Sequence, residues 1–133
     1  VIGGEGNGGV IYPESHYGRD ALVGVGLFLS HFVAEGKSMT ALKATYPQYF
    51  ISKNKLTLSP DMDVDKILEG LKKKYASEEI TDIDGVKIDF KDGWVHLRKS
   101  NTEPIIRIYS ESKDEAAANQ LAEEVIKVAQ SLY

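Results

Sequence analysis

Two runs of alternating residues joined by a turn constrain this chain more than any other feature. Val86, Ile88 and Phe90 alternate with Lys87, Asp89 and Lys91; Asp92-Gly93 follows, and Trp94 to Leu97 returns. Successive strand side chains point to opposite faces, so the first run predicts a half-buried strand, the dipeptide a hairpin turn, and the second run its partner. Ile105 to Tyr109 adds another strand. A sheet with one wet face must cover the other. The cover is legible on both sides of the strands. Val64, Ile67, Leu68, Leu71 and Tyr75 recur at helical spacing. Ser112-Lys113-Asp114-Glu115 reads as a capping box opening a last helix, whose core face is Ala118, Leu121, Ala122, Val125, Val128, Ala129 and Leu132. The expected fold class over 61–133 is therefore α+β: a small antiparallel sheet with two helices packed on one face.

The first 50 residues lack the strands to close a core. Five glycines crowd Gly3 to Gly9, and glycine permits both positive φ and close backbone approach, so this stretch is either a tight functional loop or a frayed end. From Arg19 to Glu35 the pattern turns helical, with Leu22, Val25, Leu29, Phe32 and Val33 as a stripe that Val23, Leu27 and Phe28 widen nearly all round. Such a helix is buried on most sides in its parent structure. Ser38 caps a short helix through Ala44, stopped by Pro47. Tyr49 to Leu58 has a strand-like centre, and Ser59-Pro60-Asp61 breaks it. The domain reading is a mainly helical remnant over 1–50, a linker strand and hinge over 51–60 with Ser59-Pro60 as its pivot, and a separate domain over 61–133. Val1 is not an initiator Met and no basic segment leads into an apolar core, so the chain reads as a piece of a longer one.

Charge and composition exclude several function classes. Twenty acids against 16 Lys+Arg leave a net charge of −4, so no global field draws the chain to nucleic acid or to an anionic membrane, and an anion site must be local. The apolar stretch from Ala21 to Ala34 is too short and too interrupted to cross a bilayer. The absence of cysteine removes thiolate nucleophiles and thiolate metal sites, and fits a cytoplasmic protein. His16, His31 and His96 share no metal-ligand spacing, and Asp61, Asp63 and Asp65 suit the N-terminal end of a helix dipole better than a metal. No metal site is expected in the chain.

The strongest local chemistry is Arg98-Lys99-Ser100-Asn101-Thr102-Glu103-Pro104, set between two strands. Two cations, two hydroxyls, a carboxamide and turn amides are the parts of a phosphate cradle: a guanidinium for bidentate pairing, hydroxyl donors and a nest of N–H groups. Arg107 can reach the same side. The plainer alternative is a polar loop whose Ser and Asn satisfy their own backbone. The second signal is Gly4-Glu5-Gly6-Asn7-Gly8-Gly9. It has neither a dinucleotide-binding setting nor a P-loop lysine, but Glu5 and Asn7 on a glycine frame suit sugar hydroxyls.

Taken together, Arg98-x-Ser100-Asn101-Thr102-Glu103-Pro104 followed by a strand resembles the phosphate-binding loop in the C-terminal domain of the α-D-phosphohexomutases. Gly4-Glu5-Gly6-Asn7-Gly8-Gly9 resembles the sugar loop in the third domain of the same enzymes. The motifs stand in the family's order and at about its spacing, and the resemblance covers the whole chain. It implies a C-terminal fragment of a magnesium-dependent isomerase that moves a phosphoryl group between hexose positions 1 and 6 through a phosphoserine and a bisphosphorylated sugar. By the same resemblance, Glu5 and Asn7 hold sugar hydroxyls, and Arg98, Ser100, Asn101 and Thr102 hold the phosphate that is not being transferred. The phosphoserine loop and the magnesium ligands are expected outside this chain, whose other partner would be the upstream domains. Asn7-Gly8-Gly9 stands where many members have Ser-Gly-His, so no catalytic acid or base is assigned. The fragment is expected to be inactive alone. The alternative is a phosphosugar-binding module without catalysis.

Overall fold

The computed structural model describes residues 2–4, 8–60 and 62–132. The chain divides into two compact units, Val1–Pro47 and Gln48–Tyr133. In the first, β1 (Gly3–Gly4) pairs antiparallel with β2 (Val10–Ile11), and α1 (Ala21–Glu35) and α2 (Met39–Lys43) follow. Asp20, not Arg19, opens α1: its side chain accepts hydrogen bonds from the amides of Leu22 and Val23. Gly36, at φ 61°, closes it in the left-handed conformation suited to a glycine C-cap. Gly24 leaves room for the Val10 side chain, 3.0 Å from where a Cβ would lie, while nothing approaches Gly26 within 4 Å. The apolar character of α1 does not translate into burial here. None of its residues is buried, and Leu22 and Val33 are 84% and 77% exposed.

The second unit is a five-stranded antiparallel sheet in the order β3-β7-β6-β5-β4. Its strands are β3 (Phe50–Thr57), β4 (Glu79–Thr81), β5 (Val86–Phe90), β6 (Gly93–Lys99) and β7 (Ile105–Ser112). Helices α3 (Val64–Lys74) and α4 (Glu115–Gln130) cover one face. Val95 and Leu97 of β6, Ile106 and Ile108 of β7, and Leu56 of β3 form one cluster with Ile67 and Leu71 of α3 and Val125 and Ala129 of α4. This is the α+β arrangement the alternation implies, with two strands added. The stretch expected to lead between the units supplies β3, which pairs with β7 from Phe50↔Ser112 to Thr57↔Ile105. The short β4 pairs with β5 as an edge, and its three residues are too few to show a period.

Two local expectations are corrected. The hairpin turn falls on Lys91-Asp92 rather than Asp92-Gly93, because Gly93 already pairs with Phe90 and Ser112 inside the sheet. Gly93 has no positive φ; glycine is needed because a Cβ there would lie 2.2 Å from the Glu111 carbonyl oxygen. Ser112 is likewise not a cap. It belongs to β7, where its hydroxyl donates to the Asp92 carbonyl at 2.7 Å, and Asp114 caps α4 by accepting from the Ala117 amide. The charges before α3 act as expected, with Asp63 as the cap and Asp65 in the first turn. The amides of Lys66 and Asp65 hold the Asp63 carboxyl below its ordinary value, helped by the Lys66 ammonium. Asp61 lies outside the described residues.

Candidate phosphate site

The helix-free face of the sheet carries the polar half of each alternation. Along it, Arg98 of β6 and Arg107 of β7 are directly paired, as are His96 and Tyr109, and Trp94 and Glu111. Trp94 lies on this face and donates from Nε1 to Glu111 Oε1 at 3.0 Å.

Where β6 runs out, the chain crosses to β7 through 100–104, and three main-chain bonds hold that crossing. Ser100 N donates to the Ile105 carbonyl at 3.0 Å, Ile105 N to Glu103 at 2.8 Å, and Leu58 N, just beyond β3, to Pro104 at 2.9 Å. The loop therefore closes back on the sheet edge instead of trailing into solvent. A cavity of about 330 Å³ opens on it, lined by Asp84, Arg98, Lys99, Ser100, Asn101, Thr102 and Arg107. All four residues expected to hold phosphate border this one space. So do Lys99, counted among the two cations of the sequence motif but given no role of its own, and Arg107, which the pairing with Arg98 brings to the same side.

The electrostatics are local, as the net charge requires. Three cations line the cavity, and two of them are already engaged: Arg98 Nη1 lies 3.0 Å from Asp84 Oδ2, and Arg107 Nη2 lies 3.2 Å from Glu103 Oε2. The side chains of Lys99, Asn101 and Thr102 have no protein partner among the described residues. Ser100 shows part of the plainer alternative, since its Oγ accepts from the Thr102 amide at 3.4 Å; its O–H is still available to donate. Such a set suits an anion with several oxygens: a guanidinium fork, an ammonium, hydroxyls and a carboxamide on one wall.

Asp84 is the residue the sequence reading missed. The signal was present in the register. Val86 pairs with Leu97, and extending that ladder past the end of β5 brings residue 84 alongside Arg98 and Lys99. The turn is pressed tightly against β6. Gly85 has φ +82°, and a Cβ on it would lie 2.1 Å from the Leu97 carbonyl oxygen, so only glycine fits. His96 donates from Nε2 to the Asp84 carbonyl at 2.7 Å.

A neighbouring cavity of about 310 Å³ shares Arg107 and has Lys53, Lys55 and Tyr109 on its walls. A larger groove of about 470 Å³ is lined by residues including Phe90, Gly93, Leu121 and Glu124, at the other end of β6, about 20 Å from the loop at strand spacing. Glu5 and Asn7, the expected sugar-binding residues, lie outside the described residues; β1 and β2 pair on either side of them. Among the described residues no group of three His, Cys, Asp or Glu side chains is arranged to hold a metal ion, and no helix is long and apolar enough to cross a membrane.

A family model described as phosphoglucomutase/phosphomannomutase, C-terminal domain, matches residues 54–128. Over 130 residues the chain is 40% identical to a phosphoglucosamine/phosphogalactosamine mutase of Sulfurisphaera tokodaii, covering 96% of this chain and 29% of that protein. It is 42% identical over 130 residues to a phosphoglucomutase/phosphomannomutase of Thermococcus kodakarensis, covering 96% of this chain and 28% of that protein. The crystal structure of a phosphoglucomutase/phosphomannomutase family protein from Burkholderia thailandensis superposes with a TM-score of 0.67 at 26% identity, over 97% of this chain and 28% of that one. The chain thus spans less than a third of the length of these relatives.

Proposed function

Since this chain belongs to the phosphoglucomutase/phosphomannomutase family, whose C-terminal domain its residues 54–128 match, we propose that it is the phosphate-gripping end of a phosphohexomutase. The observation that carries this reading is the single cavity bordered by Arg98, Lys99, Ser100, Asn101, Thr102 and Arg107. In this role the loop does no bond-making. It holds the phosphate of the sugar that is not being transferred, and so orients the other end of the substrate for phosphoryl transfer, a reaction governed by positioning and charge stabilisation. Arg98 supplies a bidentate grip, Ser100, Asn101 and Thr102 supply donors, and Glu5 and Asn7 hold the sugar hydroxyls. The reaction is interconversion of hexose 1- and 6-phosphates through a phosphoserine and a bisphosphorylated sugar, in the cytoplasm.

The magnesium ion implied by the family resemblance would supply charge stabilisation at the transferring phosphoryl group, and its ligands, like the phosphoserine, would come from parts of the enzyme outside this chain. The hinge expected at Ser59-Pro60 falls inside the second unit, because β3 before it pairs with β7 throughout; a movement that closes the site and excludes water from the phosphoenzyme would have to pivot before β3.

The test is a coupled mutase assay on a protein of the relatives' full length, with glucose, glucosamine and mannose phosphates side by side. The 133-residue chain is assayed in parallel. Turnover by the long protein, its loss on Arg98→Ala, and no turnover by the chain alone are expected. Unchanged KM and kcat in Arg98→Ala would overturn the assignment of this loop.

A further inference from the structure

We propose that Asp84 is the resident counter-ion of the phosphate cavity, a carboxylate that an incoming phosphate must displace from Arg98, and that it limits how tightly the cavity holds a phosphosugar. This rests on the reading of the cavity as a phosphate site and adds a residue outside the 98–104 motif.

Three observations converge. First, Asp84 Oδ2 sits 3.0 Å from Arg98 Nη1 and lines the same cavity as the phosphate-directed side chains. Second, the carboxylate is presented by main-chain architecture. Gly85 at φ +82° packs against the Leu97 carbonyl, and His96 holds the Asp84 carbonyl at 2.7 Å. Residues 84 and 85 are therefore fastened to the two positions immediately before Arg98. Third, Arg98 and Arg107 face each other across the ladder, and like charges in that relationship repel. In the free protein two carboxylates relieve the repulsion separately, Asp84 on Arg98 and Glu103 on Arg107. A phosphate dianion spanning the cavity relieves it in their place, and the carboxylate nearest to it is then repelled. Binding is an exchange of one anion for another, which leaves the grip readily reversible. A sugar that has to leave this cavity and return by its other end needs such a grip.

The experiment is a titration of the 133-residue chain with glucose 1-phosphate, followed by amide chemical shifts at low ionic strength. It compares the parent chain with Asp84→Asn, Asp84→Ser, Asp82→Asn and Arg98→Gln. Asn and Ser both suit a residue preceding a turn glycine, and the dispersion of the spectrum reports folding of each variant directly. Asp82→Asn makes the same change in net charge, but its carboxylate pairs with Lys72 at 3.2 Å rather than with the cavity. The expected result is binding about two- to fivefold tighter in both Asp84 variants, the range open to an exposed ion pair. That gain shrinks as salt is added. Asp82→Asn stays at the parent value and Arg98→Gln loses binding. If the Asp84 variants bind as the parent or Asp82→Asn does, or more weakly, while Arg98→Gln still loses binding, the counter-ion role is overturned and the phosphate cavity stands. If neither the parent nor the Asp84 variants shift at 98–107, both are overturned.

Discussion

Arg98 and Arg107 are cross-strand partners whose guanidinium groups are held by different acids, Asp84 at 3.0 Å and Glu103 at 3.2 Å. Two cations directly opposed on a sheet cost stability unless something neutralises them. Both arginines are substantially exposed, at 52% and 41%, so the pairs contribute little to folding. On the proposal above, these acids are interim occupants of a prepared anion site. It also means that mutations here should separate binding from stability.

Arg98→Lys should therefore leave the unfolding free energy within about 0.5 kcal/mol of the parent, as for an ordinary surface change. It should weaken phosphosugar binding about tenfold or more, because an ammonium cannot reproduce the bidentate fork and a charged hydrogen bond is lost. Urea denaturation and a titration with glucose 1-phosphate measure the two effects. Equal affinity in the lysine variant would show that the fork geometry is not used.

Gly85→Ala should do the opposite and damage both. Its φ of +82° and the 2.1 Å approach of the Leu97 carbonyl to a Cβ leave no room for a methyl group. A loss of about 1–3 kcal/mol is the scale of such backbone strain. Any relief must move the turn off β6 and carry Asp84 away from Arg98. Urea denaturation and the amide shifts of 84–98 check this; an unperturbed spectrum would contradict the tight seating of the turn.

Leu97→Ala tests the support beneath the site. Leu97 is fully buried in the core cluster with Val95, Ile106 and Ile108, and it immediately precedes Arg98. Truncation should cost about 2–5 kcal/mol through lost burial and a residual cavity. Urea denaturation measures the loss, and a cost under about 1 kcal/mol would mean that the core repacks over the gap.

Acid should weaken the second unit in part through Asp63. Its carboxyl is held below the ordinary value of 3.8 by the amides of Lys66 and Asp65 and by the Lys66 ammonium. A group whose pKa falls on folding favours the folded state above its unfolded pKa, and that contribution disappears as pH drops through the folded pKa. The midpoint of urea denaturation should thus fall as pH is lowered below about 3.8. Asp63→Asn keeps a capping side chain but does not titrate, so its profile should be flatter there. Parallel profiles would remove the cap from the explanation.

The strand centres over 86–90, 94–97 and 105–109 and the helices on either side of them are legible in the chain because period-two and period-3.6 burial are written in local residue order. So is the loop chemistry of 98–104, since its donors are consecutive. The strand Glu79–Thr81 is too short to show a period, and Ser112 looked like a cap because nothing local reveals that it pairs on two sides. Asp84 lies 14 residues from Arg98 in the chain, with no local pattern linking the two, whereas Arg107 follows the loop closely enough to be placed on its side from the sequence. Sequence by itself determined which groups exist and which face of each strand they take. Tertiary structure decided which of them meet, because cross-strand register and a backbone packed against Gly85 set the distances between charges that the linear order leaves open.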